Sequence, residues 1–166
     1  MKKVIFIFLL ITVQAVFSQQ KTTFKDQDVI ISLIEDYFAQ VDKKNIDGMY
    51  SFFAMPLVLH FNADKPYHIK DKGEFDLVFN AWKRSPNADF QRTRIDSISV
   101  NNAFANYICV ADVTFSRLDK KGNPINRQRV LYNLVKGGKY GPLGLLIKWF
   151  RKWKIYMISN VDIIEE

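Results

Sequence analysis

The chain has 166 residues and a formal net charge of +7, with 48% hydrophobic and 25% charged residues. A chain of this length predicts one domain, and its composition excludes wholesale disorder, a collagen-like fibre and a protein with many membrane spans. Cys109 is the single cysteine. It therefore excludes an intrachain disulfide and any zinc site built from several thiolates.

Residues 1–18 have the pattern of a secretory signal peptide. Two lysines follow Met1, a mostly apolar run spans residues 4–17, and Ser18 stands where a signal peptidase reads a small residue. The run is shorter than the ~20 apolar residues of a membrane-spanning helix. We expect cleavage after Ser18, with an uncleaved anchor as the alternative, and a single mature domain over residues 19–166. The protein is then exported, to the periplasm or outside the cell.

Part of the positive charge belongs to this leader. Its removal takes away Lys2 and Lys3 and lowers the formal net charge from +7 to +5. That value is ordinary for the solubility of a small domain. Because an exported protein also has little opportunity to meet chromosomal DNA, no nucleic-acid partner is expected.

The first predicted helix opens the mature domain. Apolar residues recur at spacings of three and four between Ile30 and Val41, and polar residues occupy most of the positions between them. Thr23 or Asp26 can cap the start of this helix. The pattern predicts a helix that buries one face.

Two further helices are predicted before the hydrophobic periodicity changes from that of a helix to that of a β-strand. Asn45 is a suitable cap for the short segment NIDGMYSFFA, and Pro56 closes it. Residues 72–84 carry an apolar stripe, and Asp71 with Glu74 three residues later resembles a capping box.

The second half of the chain has the two-residue period of β-strands. Tyr107 and Cys109 begin one alternating apolar face, and the sequence DKKGN after it is a typical hairpin loop. The predicted strands span residues 57–62, 67–70, 91–100, 104–118, 126–136 and 149–161. Helices followed by such a meander predict an α+β fold, with N-terminal helices packed on one face of an antiparallel sheet.

The segment YFAQVDKKNIDGMYSFFAMPLVLHFN, from Tyr37 to Asn62, resembles the opening of the NTF2-like superfamily. That superfamily includes SnoaL-like cyclases and ketosteroid isomerases. The helix containing Trp82, the closing meander and the sequence RKWKIYMI continue the resemblance over most of residues 24–161. The resemblance implies a strongly curved antiparallel sheet that wraps the helices into a cystatin-like cone with a pocket inside.

The catalytic positions of the isomerases are only partly present. Tyr37 matches their oxyanion-binding tyrosine, but Phe61 stands where their general base is expected, and residues 129–133 contain no carboxylate. The cyclases imply a histidine and aspartate pair, for which His60 and Asp64 are the nearest candidates. A histidine titrates near neutral pH and suits acid–base chemistry. The alternative is that His60 is a wall residue or points outward.

Aromatic residues are the candidate ligand-binding side chains. They supply flat apolar surfaces with polar tips, although the same residue types are also common in hydrophobic cores. The candidates are Tyr37, Trp82, Tyr107 and Tyr132. His60, Asp64 and His68 have no spacing that fixes a coordination geometry, so neither a metal nor a cofactor is expected. Cys109 has apolar neighbours and is predicted to be a buried, unreactive thiol.

Residues 136–154 differ from the simple hairpin that the family implies. Four glycines and Pro142 precede a run of apolar residues interleaved with Lys148, Arg151, Lys152 and Lys154. One hypothesis is a projecting segment, residues 139–154, that contacts an anionic membrane surface or a protein partner. The alternative is a long loop folded over the cone mouth before an ordinary strand.

These observations favour an exported NTF2-like protein that binds a small apolar or amphipathic ligand or acts as an interaction module. The alternative is a SnoaL-like cyclase or isomerase that uses His60, Tyr37 and Asp64 for acid–base chemistry. A third possibility is a structural protein or homodimer whose exposed sheet face is the working surface.

Overall fold

The computed structural model describes residues 25–61, 65–104, 107–137 and 152–164. The predicted signal peptide, Asp64 and most of the unusual segment before Lys152 lie outside these ranges.

Three α-helices and one short 3-10 helix precede the long strands. They are α1 (Gln27–Asp42), α2 (Ile46–Tyr50), α3 (Lys72–Lys83) and the 3-10 helix Pro86–Ala88. The helical periodicity of α1 is confirmed, since its buried side chains include Ile30, Ile34 and Val41. No helix in the described part of the chain is long and apolar enough to cross a membrane.

The predicted caps of α2 and α3 are confirmed. Asn45 accepts a hydrogen bond from the Gly48 amide at 3.2 Å, and Asp71 accepts one from the Glu74 amide at 3.0 Å. Glu74 in turn accepts a hydrogen bond from the Lys70 amide at 2.8 Å. These contacts satisfy amide groups that a helix start leaves without intrahelical partners.

Six strands form one sheet in the order β2-β1-β6-β5-β4-β3. Their bounds are β1 (Phe53–His60), β2 (Tyr67–Ile69), β3 (Arg92–Phe104), β4 (Ile108–Leu118), β5 (Pro124–Gly137) and β6 (Lys152–Ile164). The prediction of a wholly antiparallel sheet is corrected at one seam, because β1 and β6 pair in parallel. The last strand, β6, therefore lies in the interior of the sheet, between β5 and β1, and runs in the same direction as β1.

The hairpin between β3 and β4 is longer than predicted. The predicted strands 91–100 and 104–118 leave a turn that includes Asn101 and Asn102, but both residues pair with β4, and the ladder continues to Phe104 opposite Ile108. Cross-strand pairing therefore outweighs the turn preference of the two asparagines. As a result, Tyr107 lies in the turn and not on a strand face.

The core lies between the helices and the concave face of the sheet. The Phe38 ring of α1 packs 4.9 Å from the Phe115 ring of β4, measured between centroids, and the Phe75 and Phe79 rings of α3 stack at 4.1 Å. Register shifts interrupt four of the strand pairings and help the sheet to curve. The predicted α+β fold, with a curved sheet around N-terminal helices, is confirmed.

Candidate functional site

A groove with a volume of about 850 Å³ runs between α1 and the ends of β5 and β6. Residues on one side of α1 form one wall of the groove. Residues of β5, β6 and the segment before β1 form the opposite wall. The lining residues are Asp26, Asp28, Val29, Ser32, Leu33, Asp36, Ser51, Phe52, Lys136, Lys152, Trp153 and Lys154.

The floor of the groove is apolar. Val29 and Leu33 lie four residues apart on α1, which places them on one side of the helix. Phe52 faces them from the segment before β1, and the Trp153 side chain of β6 is buried below. Val29 is 56% exposed, so an apolar side chain borders an open groove and is available to a ligand.

Asp26 joins α1 to the sheet at one end of the groove. It was one of the two residues expected to cap α1, but its side chain makes no capping hydrogen bond. Its carboxylate accepts hydrogen bonds from Lys136 Nζ at 2.5 Å and from the Trp153 indole at 2.9 Å. The Lys136 hydrogen bond lowers the pKa of Asp26 below its ordinary value, against the opposing effect of burial, and Trp153 lowers it further. Asp26 is therefore an anion held inside the fold.

Two lysines lie close together on the strand side of the groove. Lys154 donates to the backbone carbonyl of Ser51, while Lys152 is exposed. Burial lowers the pKa of Lys154, and the nearby positive charge of Lys152 lowers it further. An anion placed between the two ammonium groups would offset both effects, because it would favour the charged form of each lysine.

Tyr37 and Tyr132 are brought together in the core behind the groove. Their ring centroids lie 5.8 Å apart, and the Tyr37 ring also contacts Phe52, a groove residue, at 6.0 Å. Burial raises the pKa of both phenols well above the ordinary value. Both hydroxyls therefore stay protonated at neutral pH and can act only as neutral donors or acceptors.

Arg117 is a functional candidate that the sequence analysis missed. It follows Val113 and Phe115 on the concave face of β4, where an apolar residue is expected. Its guanidinium lies 3.9 Å from the centroid of the Phe90 ring. Among the described residues, its Nη1 is a buried donor without a hydrogen-bond partner. The two-residue alternation of β4, extended by one more step, would have flagged this charge.

His60 lies on the other face of the sheet. It follows buried Leu59 on β1 and pairs with Ser159 of β6, whose neighbour Ile158 is buried. Successive strand residues point to opposite faces, so His60 points away from the core that contains Tyr37. The structure does not bring these two proposed catalytic residues together. Asp64, the third, lies outside the described residues.

Two of the proposed ligand-binding aromatic residues do not line the groove. Trp82 packs beside Phe79 and Phe90, with ring centroids at 6.4 and 6.3 Å. Tyr107 was expected on the concave face with Cys109, but the longer β3–β4 ladder places it in the turn, where it is 46% exposed. The assignment of Tyr107 to an interior wall is therefore corrected.

Metal-binding side chains do not converge in residues 25–61, 65–104, 107–137 and 152–164. Within these ranges no three histidine, cysteine, aspartate or glutamate residues lie together as a metal site would require.

The curved sheet, the helices within it and the groove beside α1 together define a cone of the NTF2-like and cystatin-like type. The chain belongs to the NTF2-like family DUF6841, whose family model matches residues 26–140. The resemblance drawn from the segment after Tyr37 is thus confirmed. No curated protein matches the sequence.

Solved structures support the same fold. An uncharacterized protein with a cystatin-like fold from Caulobacter vibrioides has a TM-score of 0.60 at 16% identity, covering 85% of this chain and 91% of that chain. An NTF-2 like protein of unknown function from Shewanella oneidensis has a TM-score of 0.57 at 16% identity, covering 81% and 98%. The yeast UBP3-associated protein BRE5 has a TM-score of 0.61 at 11% identity, covering 84% and 97%. At these identities the likeness shows the fold alone.

Proposed function

We propose that this protein binds a small amphipathic anion, such as a medium-chain carboxylate, in the groove between α1 and β6. The observation that carries the proposal is the combination of an open groove of about 850 Å³, an apolar floor and two neighbouring lysines on one wall. We also place this activity outside the cytoplasm, in keeping with the leader pattern of residues 1–18.

The apolar floor supplies the affinity for the body of the ligand. Val29, Leu33 and Phe52 offer aliphatic and aromatic surface along the groove. Each methylene group that an alkyl chain buries contributes about 0.8 kcal/mol before the costs of association.

The lysines supply the preference for an anionic head group. Lys136 is already paired with Asp26, whereas burial and the nearby charge of Lys152 lower the pKa of Lys154. A carboxylate near them accepts charge-assisted hydrogen bonds, which contribute about 1.5–3 kcal/mol each when partly buried. Asp28 and Asp36 on the helix wall carry the opposite charge, so the ligand's anionic end belongs on the strand wall.

Binding is favoured over the acid–base catalysis of the alternative. That chemistry needs a titrating side chain within hydrogen-bonding reach of a common ligand atom. His60 points away from the core, in which Tyr37 of α1 is buried. The described residues therefore do not supply the pair that a cyclase or isomerase reaction of this kind requires.

The test compares three ligands with one chain length and three head groups. Calorimetric titration with decanoate, decanol and decylamine is expected to rank decanoate first, by about tenfold over decanol. The variant Lys152→Gln/Lys154→Gln should remove this preference while keeping the binding of decanol. Equal affinity for decanoate and decylamine would contradict the proposal.

A matched pair of tryptophan substitutions locates the binding site. Val29→Trp fills the groove from an exposed position of α1, and Leu77→Trp makes a similar change at an exposed position of α3. We expect Val29→Trp to abolish decanoate binding and Leu77→Trp to leave it unchanged. Thermal unfolding of both variants checks that each remains folded.

A further inference from the structure

Exposed aromatic residues lie at the same end of the molecule as the groove. Phe104 is 66% exposed at the end of β3, and Tyr107 follows it in the turn. The carbonyl of Tyr107 accepts a hydrogen bond from the Lys136 amide at 2.8 Å, and Lys136 pairs with Trp153. The β3–β4 turn therefore stands beside the residues that line the groove.

Two exposed lysines lie at this end of the sheet. Lys25 precedes α1 and Lys152 begins β6, and both are exposed. Asp28 is the exposed acidic residue nearest to Lys25 along the chain. The carboxylate of Asp26 already accepts hydrogen bonds from Lys136 and Trp153. The groove end thus combines exposed cations with exposed aromatic side chains.

The opposite end of the sheet offers a natural comparison. The β4–β5 turn carries Lys120 and Lys121, and Ile125 after it is 51% exposed. Among the described residues, this end therefore combines two lysines with one exposed aliphatic side chain. Both ends carry basic charge, but the groove end presents two exposed aromatic rings where the opposite end presents the aliphatic Ile125.

We propose that the groove end docks on an anionic membrane surface through Phe104, Tyr107, Lys25 and Lys152. Aromatic side chains partition into the interfacial region of a bilayer, with the ring in the apolar zone and any polar tip in the headgroup layer. Each lysine near anionic lipid adds about 1 kcal/mol of attraction, which salt screens. A single such contact is weak, and four together give reversible binding.

This orientation gives the groove a direct route to its ligand. An amphipathic anion that leaves the bilayer would enter between α1 and β6 without crossing bulk water, a route that rests on the proposed function. The docking itself rests on the exposed residues and is measured without any added ligand. Failure of vesicle binding would therefore leave the calorimetric result for decanoate untouched, and the reverse also holds.

The experiment is co-sedimentation with vesicles of phosphatidylcholine containing phosphatidylglycerol. The groove-end variants are Phe104→Ser/Tyr107→Ser and Lys25→Gln/Lys152→Gln. The matched controls at the opposite end are Ile125→Ser and Lys120→Gln/Lys121→Gln. Circular dichroism and thermal unfolding establish that every variant keeps the fold.

The wild-type protein is expected to bind anionic vesicles and to bind pure phosphatidylcholine vesicles weakly. Each groove-end variant should lower the partition coefficient by about fivefold or more, which corresponds to the loss of about 1 kcal/mol. The opposite-end variants should stay close to the wild type. Absence of wild-type binding, or equal losses at the two ends, would overturn the proposal.

Discussion

The carboxylate of Asp26 accepts a hydrogen bond from the Trp153 indole at 2.9 Å, across 127 positions of the chain. Asp26 begins the first helix and Trp153 lies near the start of the last strand. With Lys136 on β5, the contact holds the helix against the sheet at the end of the groove. The groove therefore has one fixed end, set by an ion pair and an indole.

Asp26→Asn is predicted to lower the free energy of unfolding by about 2 kcal/mol at neutral pH, because it removes a charge-assisted hydrogen bond. Folding lowers the pKa of Asp26, so its contribution is complete above the unfolded pKa of about 4 and is lost as pH falls through the lowered value. Urea unfolding at several pH values measures this.

The control for this substitution is Asp28→Asn, at an exposed position in the first turn of the same helix. It should change the unfolding free energy by less than about 1 kcal/mol. If the difference between the wild type and Asp26→Asn were the same at pH 7 and pH 3, the stabilising role of the Asp26 charge would be wrong.

Arg117→Met is predicted to leave the free energy of unfolding within about 1 kcal/mol of the wild type, or to raise it. Burial lowers the pKa of the Arg117 guanidinium, and Nη1 is unpaired among the described residues, so the charge costs free energy where it lies. Methionine keeps most of the side-chain volume against Phe90 and removes that cost.

Arg117→Ala is the matched variant for the same site. It should lower the unfolding free energy by about 2 kcal/mol or more, because it leaves a cavity beside the Phe90 and Phe115 rings. Equal destabilisation by methionine and alanine would show that the charge, and not the packing of the side chain, holds this site together.

Cys109 is predicted to be unreactive in the folded protein. Burial raises the pKa of its thiol to about 12, and the negative charge of Asp26 contributes. Reaction with a disulfide reagent should proceed only at the rate of unfolding, with one thiol released per chain in denaturant. Rapid native labelling would contradict the burial of this residue.

Cleavage of residues 1–18 is predicted when the full chain is expressed in an exporting host. N-terminal sequencing and intact mass should show a mature chain that begins at Gln19. Charges at Val16 and Ser18, in the variant Val16→Lys/Ser18→Lys, should block processing. A mature protein that retains Met1 would contradict the signal-peptide assignment.

Much of the fold follows from local patterns in the sequence. The helical spacing from Ile30 to Val41, the Asp71 cap and the alternation of β4 each match the observed elements. Such signals depend on neighbours in the chain, which is why the order of helices and strands can be read from them. The parallel pairing of β1 with β6 joins distant segments and has no local signal.

The candidate site was harder to predict because its contacts also join segments that are distant in the sequence. Asp26, Lys136 and Trp153 come from three separated segments, and no local pattern in the sequence links them. His60 attracted attention because of its residue type, yet its strand parity places it on the outer face. Long-range contacts and the parity of each strand, which register determines, decide which side chains meet.

The most direct test of the ligand-binding proposal is a titration of the isotopically labelled protein with decanoate, followed through its amide NMR signals. The proposal predicts shifts concentrated at Val29, Leu33, Phe52, Trp153 and Lys154. Shifts confined to the opposite end of the sheet, around Phe90, would contradict the proposal. An absence of shifts at decanoate concentrations below the critical micelle concentration would also contradict it.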